Sequence, residues 1–173
     1  MKTLYFSPIN LYGNKAYRQL LLNHGADYVF TELIMCDRFE KEIKQGKLDE
    51  INKNTIVQIG ANSKEQIKKA LDLISSKEVN LNLGCPHSSY EKRKICSGIL
   101  YDLKFLDEIT KIFSDECKKS DKLPSVKIRI GTSPENIEIG KYLEILQKNN
   151  IRKVYIHART LRHPYTKPVE KKV

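Results

Sequence analysis

Six short apolar runs recur along the chain: Leu4-Tyr5-Phe6, Tyr28-Val29-Phe30, Ile56 to Ile59, Val79 to Leu83, Val126 to Ile130 and Val154-Tyr155-Ile156. Their length and their β-branched or aromatic content predict strands. Several of the stretches between them carry the period of a helix instead. Ile67, Ala70, Leu71 and Ile74 stand at i, i+3, i+4 and i+7 behind Ser63, a capping residue type. Ile139, Tyr142, Leu143 and Leu146 repeat that spacing, and Ser133-Pro134-Glu135 upstream predicts the helix start, with a capping serine, a proline at the first helical position and an acid in the first turn. Leu103, Leu106, Ile109 and Phe113 mark a further helix. Strand and helix alternate, which is the pattern of a parallel sheet with crossover helices.

Two architectures share that alternation, the open doubly wound sheet and the β/α barrel. No G-x-G-x-x-G or G-x-x-x-x-G-K-[ST] follows any strand, so the nucleotide-binding open sheets lose support. The polar residues within the strands decide more. A parallel strand buried on both faces reads as almost purely apolar, yet Gln58, Asn82, Lys127, Arg129 and His157 sit at or near strand C-terminal ends. In a barrel those ends form the face that binds ligands. Five polar residues from four successive strands predict one shared site on an α/β fold, a TIM-type β/α barrel that is incomplete, with about six of the eight βα units.

Charge adds a partner class. Lys and Arg number 31 against 21 acidic residues, for a net charge of +10, a surplus that favours a polyanion such as nucleic acid. Cys36, Cys85, Cys96 and Cys117 form no C-x-x-C pair and have no histidine at zinc-ligand spacing, so no metal is expected. No run reaches the roughly 18 apolar residues of a membrane span. Without a secretory signal the expected compartment is the reducing cytoplasm, and the expected state of the cysteines is the free thiol.

The ordered set of motifs resembles a known family. "SPINLYGNKAYRQLLLNHGADYVFTEL", "VQIGANSKEQIKKAL", "LNLGCP", "VKIRIG" and "IHART" follow one another as the successive strands of the tRNA-dihydrouridine synthases do. That resemblance implies a β/α barrel with FMN over its mouth, reduced by NADPH, passing hydride to C6 of a uracil in tRNA while a cysteine protonates C5. Cys85 matches the cysteine, and an ordinary thiol is mostly protonated at neutral pH, as a general acid must be. Gln58, Lys127 and His157 match flavin contacts, and Ser7-Pro8-Ile9 lies where the first strand packs against the ring. Asn82, Arg129, Arg159 and Tyr165 match the substrate side, where an arginine meets phosphate and an aromatic ring stacks on a flipped base. Lys92-Arg93-Lys94 offers a basic tract beside the cysteine loop.

Two departures accompany the match. Family members usually carry glycine where this chain has Lys94 and Cys96, and glycine there points to backbone conformations that larger residues resist. After Tyr165 the sequence reads "TKPVEKKV", so residues 1–173 are expected to form one partial FMN-binding barrel that lacks the last barrel strands and the helical tRNA-binding domain. A second reading is a non-catalytic barrel remnant that binds RNA or a partner subunit. A third keeps the flavin barrel with a free pyrimidine substrate, as in the dihydroorotate dehydrogenases; the G-C-P turn and "IHART" argue against it.

Overall fold

A computed structural model describes residues 2–9, 12–49 and 51–170. The six expected strands are present as β1 (Tyr5–Phe6), β2 (Tyr28–Phe30), β4 (Thr55–Gly60), β5 (Glu78–Leu83), β6 (Leu123–Arg129) and β9 (Lys153–His157). They pair in parallel in the order β1-β2-β4-β5-β6-β9. A short strand that the pattern did not reveal, β3 (Ile34–Met35), takes over from β2 along β4, pairing Ile34 with Ile59 and Met35 with Gly60. The sheet curls. Tyr5 on β1 and Tyr155 on β9, at opposite ends of the strand order, bring their rings edge to face with centroids 5.4 Å apart. The result is an incomplete TIM-type barrel.

Period-two alternation sorts the strand side chains onto two faces. The outer face carries Val57, Ile59, Val79, Leu81, Leu83, Val126 and Ile128, all buried. Against it pack Ile67 and Leu71 of α3 (Lys64–Leu73), Leu106, Ile109 and Phe113 of α5 (Leu103–Lys119), and Tyr142 and Leu146 of α6 (Ile139–Lys148), forming the main core. Ser63 caps α3 as expected, accepting from the Gln66 N–H at 3.3 Å, and Asp102 caps α5 through the Phe105 N–H at 3.1 Å. The inner face is polar and aromatic.

The start of α6 departs from the sequence reading. Ser133-Pro134-Glu135 does not begin the helix. It belongs to an antiparallel hairpin of β7 (Gly131–Ser133) and β8 (Asn136–Ile137), and α6 follows Glu138 with no side-chain cap. Serine followed by proline is also the signature of a β-turn, which fixes φ at the second position, and here the turn prevails over the helix start.

Candidate active site

The C-terminal ends of the strands open on a cleft of about 330 Å³. Of the residues expected at a site, Pro8, Gln58, Asn82, Cys85, Lys127, His157 and Tyr165 line it. Ser7, Ile9, Arg129 and Arg159 do not. Ser7 and Ile9 are exposed at the end of the first strand segment, and Ile9 uses its carbonyl to accept from the Gly13 N–H at 3.1 Å.

A directed series of hydrogen bonds holds the cysteine turn. The N–H groups of Gly84 and Cys85 both donate to Asn82 Oδ1, at 3.0 and 2.9 Å. Backbone N–H groups can only donate, so the Asn82 amide must present its oxygen to the turn and its nitrogen to the interior. Asn82 Nδ2 accordingly donates to Gln58 Oε1 at 2.8 Å, Gln58 Nε2 donates to Asn80 Oδ1 at 2.8 Å, and Asn80 Nδ2 donates to Ser125 Oγ at 2.9 Å. Each amide orientation follows from the one before it. The four side chains share the inward phase of β4, β5 and β6, and all are buried.

The Cys85 thiol sits at the rim, half-buried. Burial pushes it above the ordinary thiol value, against the smaller lowering effects of a backbone hydrogen bond from His87 and the charges of Arg129 and Lys127. Lys127 has no ion-pair or hydrogen-bond partner among the described residues. Burial first, then the nearby Arg129, holds its ammonium below the usual lysine range, and Cys85 partly offsets this. His157 is pushed down to about 4 by burial and by Arg129, Lys127, Arg159 and His163, so the imidazole is neutral at pH 7. Its Nε2 lies 3.0 Å from Arg159 Nη1. A guanidinium only donates, so Nε2 accepts and the ring proton resides on Nδ1.

Arg129, read from sequence as a phosphate or substrate contact, is 1% exposed. Its guanidinium donates to the Gly84 carbonyl at 3.0 Å, the Thr160 carbonyl at 2.7 Å and Tyr165 Oη at 2.8 Å. It ties the cysteine turn to the segment after β9 and fixes Tyr165, which is 67% exposed, over the cleft. Arg159 donates twice to the Lys167 carbonyl, at 3.3 and 2.9 Å. Both guanidinium groups face the Tyr165 ring, 5.3 and 5.6 Å from its centroid.

A family model described as dihydrouridine synthase (Dus) matches residues 5–172. The chain belongs to the dihydrouridine synthase family. It is similar to a probable tRNA-dihydrouridine synthase of Helicobacter pylori strain J99, with 25% identity over 177 residues, 96% of this chain and 52% of that protein. A probable tRNA-dihydrouridine synthase of Aquifex aeolicus is 26% identical over 168 residues, covering 92% of this chain and 52% of its own length. A tRNA-dihydrouridine(47) synthase [NAD(P)(+)] of Scheffersomyces stipitis is 27% identical over 176 residues, 95% of this chain and 28% of that protein. The chain spans about half the length of the bacterial relatives it matches.

Within the dihydrouridine synthase frame, the loop after Cys85 shows the backbone at Lys94 and Cys96, the two positions where the resemblance leads to an expectation of glycine. Helix α4 (Ser88–Arg93) ends with Lys94 in the left-handed region at φ 45°; the Lys94 N–H bonds to the Glu91 carbonyl at 3.1 Å and the Ile95 N–H to the Tyr90 carbonyl at 3.1 Å. This is a Schellman ending, which favours glycine where lysine stands. Cys96 is also left-handed, at φ 52°. Gly98 is required for a different reason: a Cβ there would lie 1.9 Å from the Tyr90 carbonyl oxygen.

Sequence reasoning missed two groups of residues. Asn80 and Ser125 carry the interior end of the hydrogen-bond series; their inward phase with Asn82 and Lys127 was the available signal. On the opposite wall Arg38 and Lys47 line the cleft. Both pair with the buried carboxylate of Glu42, Arg38 Nε at 2.7 Å. They come from α2 (Phe39–Lys44) and its flanks, and no local pattern marks them. No group of three metal-ligating side chains occurs among the described residues, and no helix among them is long and apolar enough to cross a membrane.

Proposed function

We propose that the chain forms the flavin-facing part of an enzyme that reduces uridine to 5,6-dihydrouridine in tRNA. The observation that carries this reading is the convergence on one cleft of a protonated thiol, two oriented amides, an unpartnered ammonium and a neutral imidazole. After their internal bonds, Gln58 and Asn82 each keep one amide N–H, and Lys127 keeps its ammonium. The cleft therefore offers donors and a positive charge to a ligand rich in acceptors. The isoalloxazine ring of FMN, with its carbonyl oxygens and ring nitrogens, fits that donor set.

Gln58, Lys127 and His157 would hold the ring, with Pro8 supplying apolar contact. When bound and reduced by NADPH, FMN supplies the hydride for uracil C6. Cys85 holds the proton for C5, and burial, which raises its thiol, keeps that proton in place at neutral pH. Lys127 stabilises negative charge on the ring side of the cleft. Asn82 directs its remaining N–H toward a uracil carbonyl. Tyr165, pinned by Arg129 and exposed, presents an aromatic face to an unstacked base. Arg38, Arg93 and the overall charge of +10 suit an RNA backbone. A tRNA substrate and NADPH as reductant match a cytoplasmic enzyme.

The test is spectroscopic and then chemical. Purified chain should acquire the absorbance of bound flavin when mixed with FMN, and should form dihydrouridine in an unmodified tRNA transcript when NADPH is added. Cys85→Ala should keep the flavin and lose at least about 100-fold in product formation, the typical contribution of a general acid. RNA retention without flavin uptake would instead support a non-catalytic RNA-binding barrel, and turnover of a free pyrimidine in place of tRNA would support a dehydrogenase of the dihydroorotate type.

A further inference from the structure

The hydrogen-bond series behind the cysteine turn contains two residues, Asn80 and Ser125, that line neither the cleft nor the turn. Both are fully buried on the inner face. We propose that Asn80 is a positioning residue for Cys85, acting through Gln58 and Asn82, and that Ser125 is its anchor.

The argument rests on direction. A side-chain amide is nearly symmetric in shape, so packing alone does not decide which end of Gln58 faces which neighbour. Turned over, Gln58 would set its nitrogen against the Asn82 nitrogen and its oxygen against the Asn80 oxygen, two contacts between like groups. Asn80 Oδ1 therefore selects the orientation of Gln58, and Gln58 Oε1 in turn holds the Asn82 nitrogen, leaving the Asn82 oxygen on the two N–H groups of the turn. At the interior end Ser125 Oγ lies 3.4 Å from the Val79 carbonyl, to which its proton points, so its lone pairs face Asn80 Nδ2. The series is thus polarised from both ends, by N–H groups at the turn and by a carbonyl below. Position 80 has one chemical requirement, an acceptor aimed at Gln58. Asparagine and aspartate meet it. Leucine, branched at the same carbon but with no acceptor, does not, and it would leave the Gln58 nitrogen buried without a partner.

The functional meaning rests on the role proposed for Cys85, but the geometry can be read on the bare chain. The experiment is alkylation by iodoacetamide across a pH series, followed by mass spectrometry at the Cys85 peptide; the three buried cysteines serve as internal controls. Asn80→Leu should raise the Cys85 rate at pH 7 by about tenfold, the factor corresponding to one lost hydrogen bond, and shift the midpoint down toward the free-thiol value as the turn opens. Asn80→Asp should stay within about threefold of the parent, because a carboxyl this buried stays protonated, its carbonyl accepting from Gln58 and its O–H donating to Ser125 as the amide does. Parent-like alkylation in folded Asn80→Leu, or an Asn80→Asp rate as fast as Asn80→Leu, overturns the proposal. If Asn80→Leu does not fold, Ser125→Ala decides: a rise of about threefold, for loss of the anchor alone, supports it, and no change overturns it. Neither flavin nor tRNA is present, so failure here leaves the proposed reduction standing, and failed flavin uptake leaves this inference standing.

Discussion

Two lysines on the inner face of the barrel, one at each end, show what distinguishes a structural charge from an available one. Lys153, near the N-terminal ends of the strands, donates to Glu78 at 2.5 Å, and its ammonium lies 4.7, 5.4 and 5.5 Å from the ring centroids of Tyr5, Tyr28 and Tyr155. Burial alone would lower its pKa, but Glu78 and Tyr5 together outweigh that and raise it. Lys127, near the C-terminal ends, has burial and Arg129 against it, with only a thiol in its favour, and is lowered. The same side chain on the same face is satisfied internally at one end and left for a ligand at the other. Where a fold keeps an interior cation without an anion, the missing partner is expected to arrive from outside.

Replacing each lysine by methionine should break the comparison most sharply. Lys153→Met leaves Glu78 buried without its cation and should cost about 2–3 kcal/mol in urea unfolding, less than for a fully buried pair because Lys153 is partly solvated. Lys127→Met removes a charge that burial penalises and should leave stability within about 1 kcal/mol of the parent or above it, while weakening the flavin binding proposed for the cleft. Equal losses of stability in the two variants would erase the distinction.

A pH series sharpens it from the ligand end. His157 has a folded value of about 4 against an ordinary value of 6.5, so between those limits the unfolded chain binds more protons. Stability should therefore rise with pH from about 4 to about 6.5 and fall again on acidification through that window. His157→Gln should flatten that part of the profile. An unchanged slope would mean that the ring is not held neutral by its neighbours. Lys127, being lowered, should add a further rise on approach to its ordinary value of 10.5, whereas the contribution of Lys153, being raised, should be lost above that value.

The smallest expected effect lies in the loop that carries the cysteine. Lys94→Gly relieves a left-handed residue on the surface and should stabilise the chain by about 0.5–1 kcal/mol. Cys96→Gly removes the same strain but also the buried sulfur that packs with Met35 and Ile95, so it should bring no gain. A gain for Cys96→Gly equal to that for Lys94→Gly would show that this sulfur contributes nothing to packing.

The sequence made the sheet legible because each strand is an apolar run whose polar exceptions fall in one phase. Gln58, Asn82, Lys127 and His157 declared themselves as anomalies in buried strands, and Cys85 by the turn that carries it. Arg129 looked the same from sequence, but no local pattern shows that three acceptors meet its guanidinium in the interior. Arg38 and Lys47 were invisible because the carboxylate that orients them belongs to a short helix with no strong periodicity. The Ser133-Pro134-Glu135 turn was misread because serine and proline open both helices and β-turns, and only the strands on either side decide between them. Asn80 could have been found: it is two residues from Asn82 on one strand, and only polar function explains a second asparagine in that phase.

The curl of the sheet has a consequence for the order of assembly. The bonds that build the cysteine turn join positions 22, 24 and 45 residues apart on neighbouring strands. The Tyr5–Tyr155 contact that draws the two sheet edges together must close nearly the entire chain, and each doubling of a loop adds about 0.6 kcal/mol of entropy to be overcome. The arm that carries Cys85, and the β6–β9 pairing that sets His157 beside Arg129, are thus made from contacts that form cheaply and early, while the meeting of the first strand with the last belongs to the final and most expensive closure.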